Sequence, residues 1–256
     1  MTALQDRGAV IRIGLWAALS TTTAAAVSLA VGITTPPRSG PYCRSGCINY
    51  PYTDAAAFVP HDYLWMYPAL LTALVFVVLA VCIHDWTPPR RRLFARTGVC
   101  FAVIGVGALV VDYGIQLTVM QPGLLSGETE GLSPFSQYNP HGLFIGLENI
   151  GYATMNLALL FLGITLAGQG SKLVRTTGWV FSGGGAATIV ALILYGALYR
   201  TDLDYRFEVI ALLITWLVLI TGGLLLSIGF ARARAAGTAA GTAVRQEGTP
   251  AVPASR

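Results

Sequence analysis

Residues 143–167 read LFIGLENIGYATMNLALLFLGITLA, an apolar run that contains a single charged residue, Glu148. A helix needs about 20 apolar residues to cross the roughly 30 Å hydrocarbon core of a bilayer, and this run is longer than that. Five runs of similar character lie at about 11–33, 64–84, 97–120, 177–199 and 207–230. We therefore predict an all-α, polytopic membrane protein in which residues 1–230 form a six-transmembrane-helix bundle.

The composition excludes most other classes of protein. Of the 256 residues, 54% are hydrophobic and 11% are charged, whereas a soluble domain has about 25% charged residues. A soluble globular fold is excluded on this ground, and a disordered chain would need low hydrophobicity and a high charge density. The last stretch, 231–256, is the exception because it is rich in Ala, Gly, Thr and Pro without an apolar period. We predict that it is a disordered cytoplasmic tail.

The positions of the basic residues predict which side of the membrane each terminus faces. Six spans put both termini on the same side, and the cytoplasmic side of a membrane protein carries more Lys and Arg. With a cytoplasmic N-terminus, that side holds twelve of the sixteen basic residues, and the outer side holds Arg38, Arg44, Arg200 and Arg206. The predominance of Arg over Lys is typical of a GC-rich bacterial genome. We therefore expect a multi-pass protein of the bacterial plasma (inner) membrane with cytoplasmic N- and C-termini.

Two carboxylates fall well inside the predicted spans, away from their ends, Asp112 in the third and Glu148 in the fourth. Seven others are assigned to the outer side: Asp54, Asp62, Glu128, Glu130, Asp202, Asp204 and Glu208. A carboxylate in the middle of a lipid-facing helix costs about 2.5–3.5 kcal/mol on insertion scales, so such a residue must face protein or water. On a helical wheel, Asp112 shares a face with Gly98, Gly105 and Gln116, which favours close approach of a neighbouring helix.

The fourth span has a matching polar face. Counted from the outer ends of the two spans at ~1.5 Å per residue, Asp112 and Glu148 lie at overlapping depths. We therefore predict a buried polar cluster formed by the third and fourth spans. Its candidate ligand-binding or proton-binding residues are Asp112, Tyr113, Gln116, Glu148, Asn149, Tyr152 and Asn156.

The cluster allows several interpretations. As a functional site it would bind a small ligand, a cation or a proton and could move it through the membrane. As a structural feature it would join helices by hydrogen bonds that each contribute roughly 0.6–2 kcal/mol. A membrane-embedded enzyme that acts on a lipid-like substrate would use Glu148 or Asp112 as acid or base. A structural or accessory subunit would instead present its small-residue faces to partner helices or to a second copy of the chain.

The string QYNPHGLFIGLENIGY at 137–152 is the most distinctive in the chain. Asn139 can cap the following helix, and the Gly142-x-x-x-Gly146 spacing favours close helix packing. His141 is a further candidate because it precedes the polar cluster, either as a proton-transfer group or as an interfacial side chain. NPHGLFIGLENIGY, together with LDYRFEVIALLITWLVLITGGLLLSIGF at 203–230, resembles a family of bacterial multi-pass membrane proteins. The resemblance implies a recurring fold and brings no activity, substrate or catalytic residue.

Cysteine and histidine positions predict a disulfide and no metal site. Cys43 and Cys47 lie in a predicted outer loop, which would be oxidising, and their spacing favours a local disulfide bond. His61 and His141 fall outside and His84 inside, so the three histidines do not form a metal-binding set. No nucleotide fingerprint occurs. We expect membrane lipids as partners, with neither a cofactor nor a nucleic acid.

Overall fold

The computed structural model describes residues 2–128, 130–169 and 171–247, and all regular secondary structure in these ranges is helical. The α-helices are α1 (Thr2–Gly32), α2 (Met66–Trp86), α3 (Arg92–Ile115), α4 (Gln121–Leu125), α5 (Leu143–Ala167), α6 (Lys172–Tyr199) and α7 (Asp204–Glu247). All except the short α4 are long and apolar enough to cross a membrane. The predicted all-helical class and the number of membrane-length helices are confirmed.

Two helical segments are longer than the predicted spans. A π-helical turn at Gln116–Met120 joins α3 to α4, so the third apolar segment continues to Leu125. The last helix passes the predicted end at 230 and continues to Glu247. Residues 231–247 of the predicted tail are therefore helical, because Ala and Arg favour helix and α7 supplies a helix to extend. The rest of that predicted tail, 248–256, lies outside the described residues.

The long helices form a closed ring, and one of its members, α5, also packs across it against α7. Each packs against its neighbour along the chain, and α1 closes the ring by packing against α7. α5 contacts α3, α6 and α7, and it also has a small contact with α2. A residue on the inner side of α5 can therefore interact with side chains from three other helices.

Small residues allow α5 to approach its neighbours closely. A Cβ atom on Gly105 of α3 would lie 2.8 Å from the backbone oxygen of Gly151 of α5. The predicted small-residue face of the third span is therefore a helix contact. Gly146, by contrast, has no other group within 4 Å of an added Cβ. The Gly142-x-x-x-Gly146 spacing does not mark the contact, which uses Gly151 further along the helix.

Two connections form a packed cap over one end of the bundle. Residues 33–65 join α1 to α2, and residues 130–142 precede α5; we call these two segments the cap, and the end that they cover the loop end. Ile48, Ala55 and Tyr138 of the cap are buried. Cys43 and Cys47 form a disulfide bond within the cap. The cap thus packs against α4, α5 and α7 at this end of the bundle.

Candidate functional site

Three acidic side chains meet inside the bundle near its loop end. They are Asp112 of α3, Glu148 of α5 and Glu208 of α7, and each lies within the electrostatic reach of the other two. Their exposed fractions are 1%, 0% and 7%. We call these three residues the acid cluster. The ion pairs found among the described residues involve only Asp62 and Asp85, so no basic side chain there neutralises the cluster.

Two tyrosines connect the cluster across α3 and α5. The Tyr113 hydroxyl donates a 2.7 Å hydrogen bond to Glu148 Oε1, and the Tyr152 hydroxyl lies 2.7 Å from the Tyr113 oxygen. A hydroxyl has one hydrogen, which Tyr113 gives to Glu148, so Tyr152 is the donor in the second bond. Both tyrosines are buried. The pair therefore fixes one oxygen of Glu148 through a short chain of hydrogen bonds.

The remaining carboxylate oxygens are only partly satisfied. Glu148 Oε2 and Asp112 Oδ2 are buried and have no hydrogen-bond partner among the described residues. The carboxyl groups of Glu148 and Glu208 face each other between α5 and α7. Since buried charges are normally paired or neutralised, this arrangement requires protons on the cluster or a cation beside it.

Glu208 was not among the site residues predicted from the sequence. The sequence predicts it on the outer side with Asp202 and Asp204 because it lies at the start of the sixth span. A periodic signal was nevertheless present: Ala211 and Thr215, three and seven positions further on, share its helix face and are fully buried. That face points into the bundle, so the Glu208 side chain lies next to Glu148.

The other predicted polar residues of the two spans lie near the cluster but serve different contacts. The Gln116 amide donates a 2.6 Å hydrogen bond to the Phe135 carbonyl and thus binds the cap. The Asn156 amide donates to Thr215 Oγ1 at 2.6 Å and joins α5 to α7. Asn149 is partly exposed. The structure thus brings Asp112, Tyr113, Glu148 and Tyr152 together, while the other three surround them.

His141 lies apart from the acids. Its side chain is exposed, whereas the acid cluster is buried. The helix begins at Leu143, and Asn139 Oδ1 accepts a hydrogen bond from the His141 backbone N–H at 3.0 Å within the preceding turn. His141 precedes Glu148 by seven residues, about 10 Å along a helix. It therefore belongs to the surface of the cap.

A cavity of about 410 Å³ opens at the loop end between α1, α7 and the cap. Glu208 is the acidic side chain in its wall, and Arg38 is the basic one. The remaining wall is mostly apolar and aromatic, with contributions from Leu29, Ile33, Tyr42, Trp65, Tyr138, Tyr205, Leu212, Leu213 and Trp216. Asp112 and Glu148 lie behind this wall. Glu208 is thus the member of the acid cluster that a molecule in the cavity would meet.

Aromatic rings separate the cavity from the buried tyrosines. The Trp65 ring lies 6.0 Å from Trp216 and 5.5 Å from Tyr113, both in edge-to-face arrangements. Trp65 and Trp216 line the cavity, and Tyr113 holds Glu148. A ligand that moves the Trp65 ring would therefore change its packing against Tyr113, the residue that donates a hydrogen bond to Glu148.

An ion pair closes the cap over the cavity. Arg38 binds Asp62 through Nε and Nη2, and the second of these contacts measures 3.2 Å. The hydrogen bond to Asp62 raises the pKa of Arg38 above its ordinary value, so the guanidinium remains charged. Burial raises the pKa of Tyr138, and its protonated hydroxyl donates to Asp62 Oδ2 at 3.0 Å. The positive charge of Arg38 is thus neutralised by Asp62 within the cap.

Comparison with protein-family models, curated proteins and solved structures finds no match for this chain. The resemblance carried by NPHGLFIGLENIGY therefore adds no argument about activity. Functional inference rests on the acid cluster and the cavity.

Proposed function

We propose that the protein binds a small, partly apolar molecule in the cavity at its loop end and that the acid cluster provides the polar contact. The observation that carries the proposal is the position of Glu208, which lines the cavity and faces the buried Glu148. Ligand pockets are concave, mostly apolar and supplied with a few polar groups, at volumes of about 300–1,000 Å³. The cavity fits this description.

Binding is better supported than passage through the membrane. Beyond the cluster, away from the loop end, the large apolar side chains of Leu162, Phe181 and Leu219 are fully buried. A transport path would need water or polar groups that are free to bind its cargo along this part of the bundle, whereas the buried hydroxyls of Thr165 and Thr177 donate to carbonyls of their own helices. The acid cluster then exchanges protons with the cavity side while the opposite end of the bundle stays closed.

The enzyme and accessory-subunit interpretations have weaker support. An enzyme that uses Asp112 or Glu148 needs those groups beside its substrate, and neither lines the cavity. An accessory subunit needs small residues on its outer surface; Gly107, Gly114, Gly183 and Gly196 have open space beside them, so this interpretation rests on that outer face alone, while Gly105, Gly151 and Gly185 lie against neighbouring helices.

We further propose that both termini face the cytoplasm of a bacterial plasma membrane and that the cap faces outward. The support is the concentration of basic residues at the end opposite the cap, including Arg90, Arg91, Arg92, Lys172 and Arg175. Alkaline phosphatase fused after residue 256 should be inactive, whereas phosphatase inserted at Ser45 should be active. The opposite pattern would reverse the orientation.

Filling the cavity tests the proposed binding. Leu212 lines the cavity, and Leu217 of the same helix is 51% exposed and does not. We expect Leu212→Trp to remove a small molecule that co-purifies with the full-length protein in lipid nanodiscs, as measured by mass spectrometry of the extract. Leu217→Trp is the matched control and should retain it. Identical extracts from wild type and both variants would reject the proposal.

A further inference from the structure

The charge balance of the cavity wall favours a positively charged ligand. Glu208 is 7% exposed, lines the cavity and makes no ion pair with a basic side chain of the described chain. Two more acids, Asp112 and Glu148, lie directly behind it. The basic residue in the wall, Arg38, is already bound to Asp62. Glu208 is therefore the acid that a ligand in the cavity would meet, and a cation would neutralise its ionised form.

The aromatic part of the wall also favours a cation. The rings of Trp65, Trp216, Tyr138 and Tyr205 line the same cavity as Glu208. The faces of aromatic rings attract cations, and Trp does so most strongly. Aromatic rings around a carboxylate are a common means of binding an ammonium group without a complete shell of hydrogen bonds.

The remaining wall favours an apolar body on that cation. Leu29, Val209 and Leu212 line the cavity, and at its edge Ile33 and Leu213 are 75% and 38% exposed. Both edge residues belong to membrane-length helices or their ends, so the opening adjoins the lipid-facing surface between α1 and α7. An apolar substituent can leave the lipid and enter there.

A bare metal ion fits this site poorly. Hard cations take six or more oxygen ligands, or keep much of their water shell. Only one carboxylate reaches the cavity, and the described residues contain no group of three His, Cys, Asp or Glu side chains arranged to hold a metal. The bulky apolar and aromatic walls would also strip water from the ion without supplying oxygen ligands in its place.

We infer that the ligand of this cavity is an organic ammonium compound, a protonated or quaternary amine with an apolar body, whose charge is held by Glu208 beside Trp65 and Trp216. This inference rests on the proposed function and specifies its ligand class. It assigns Glu208 as the ligand-binding carboxylate and leaves Asp112 and Glu148 as buried acids behind it.

A pair of isosteric probes tests the ligand class. Benzyltrimethylammonium and 2,2-dimethylpropylbenzene have nearly the same shape, but only the first is charged. Each is equilibrated by dialysis with the full-length protein in lipid nanodiscs, and empty nanodiscs correct for uptake by lipid. The variants are Glu208→Gln and, as the matched control, Glu128→Gln at an exposed acid near the cap.

We expect protein-specific binding of the ammonium probe that weakens about tenfold or more in Glu208→Gln and is unchanged in Glu128→Gln. The uncharged probe should bind equally to wild type and Glu208→Gln. Glu208→Asp, which keeps the charge, should retain most of the affinity for the ammonium probe. Trp216→Leu serves as a second variant and should weaken ammonium binding more than binding of the uncharged probe.

The inference is overturned if the ammonium probe shows no protein-specific binding at millimolar concentration, or if Glu208→Gln and Trp216→Leu leave its affinity unchanged. A neutral or anionic molecule that co-purifies with wild type and is lost from Leu212→Trp would reject the ammonium class but retain the proposed function. Failure of both the dialysis and the co-purification experiment would reject both.

Discussion

The Tyr113 hydroxyl donates a 2.7 Å hydrogen bond to Glu148 Oε1 and so connects the acid of α5 to α3. The same hydroxyl oxygen receives the hydrogen bond from Tyr152, which lies one turn beyond Glu148 on α5. Three side chains in the interior thus form one ordered chain. Glu148 is therefore held in a fixed position, while Glu208 is the acid that can meet a ligand.

Tyr113→Phe removes both hydrogen bonds of this chain without removing the ring. We expect the free energy of unfolding to fall by about 1–2 kcal/mol, because Glu148 Oε1 loses its donor and Tyr152 loses its acceptor. Thermal unfolding in detergent measures the change. Tyr67→Phe is the control because that side chain is 54% exposed. Equal losses in the two variants would contradict the assignment of a structural hydrogen bond.

Asn156 and Thr215 should be energetically coupled. The Asn156 amide bonds Thr215 Oγ1 across α5 and α7, directly below the acid cluster. A double-mutant cycle with Asn156→Ala and Thr215→Ala should give a coupling energy of roughly 0.5–2 kcal/mol in reversible unfolding measurements. Additive effects of the two substitutions would show that this contact does not join the helices.

Asp62→Asn should loosen the cap over the cavity. It removes the charge that binds Arg38, and the neutral amide replaces a carboxylate that also accepts from Tyr138. We expect hydrogen exchange in residues 35–42 to accelerate at least about fivefold, because charged hydrogen bonds contribute about 1.5–3 kcal/mol. Asp54→Asn, at an exposed position of the cap, is the control. Unchanged exchange in Asp62→Asn would show that the ion pair does not hold the cap closed.

Binding of benzyltrimethylammonium should weaken as the pH falls. The cation binds the ionised form of Glu208, so protonation competes with it, and the affinity can fall at most about tenfold per pH unit for one proton. The groups that face Glu208 from packed elements also influence this profile: Asp112, Glu148, Arg38, Tyr42, Tyr138 and Tyr205.

In Glu208→Gln the residual affinity should depend much less on pH, since the competing proton site has been removed. Dialysis over a pH series measures both profiles. A wild-type affinity that does not change with pH, or the same slope in both proteins, would contradict competition at Glu208.

The helices could be predicted because each apolar run is long enough to cross a bilayer, and 143–167 matches α5 at both ends. The proximity of Asp112 and Glu148 could also be anticipated, since consecutive antiparallel spans bring equal depths together. Glu208, the third member of the acid cluster, could not be predicted from the depths of residues on two helices. It depends on α7 packing against α5, a contact between parts of the chain far apart in sequence.

The cavity could not be predicted from the sequence for a related reason. Its wall combines α1 and α7 with cap residues such as Arg38 and Tyr138, which approach one another only after the ring of helices closes. Loop residues follow no hydrophobic period, so the sequence does not indicate which side chains they contact. Asp62, for example, was assigned to the outer side as a charged loop residue but is fully buried against Arg38.

Labelling with dicyclohexylcarbodiimide tests most directly whether Glu208 is the acid open to the cavity. This apolar reagent enters lipid and forms a stable adduct with protonated carboxyl groups in apolar surroundings. In native membranes, at a pH low enough to protonate Glu208, mass spectrometry should find the adduct on Glu208 in wild type and Leu217→Trp, and a much smaller amount in Leu212→Trp. Absence of the adduct from Glu208 in wild type, or equal labelling in Leu212→Trp, would contradict the account.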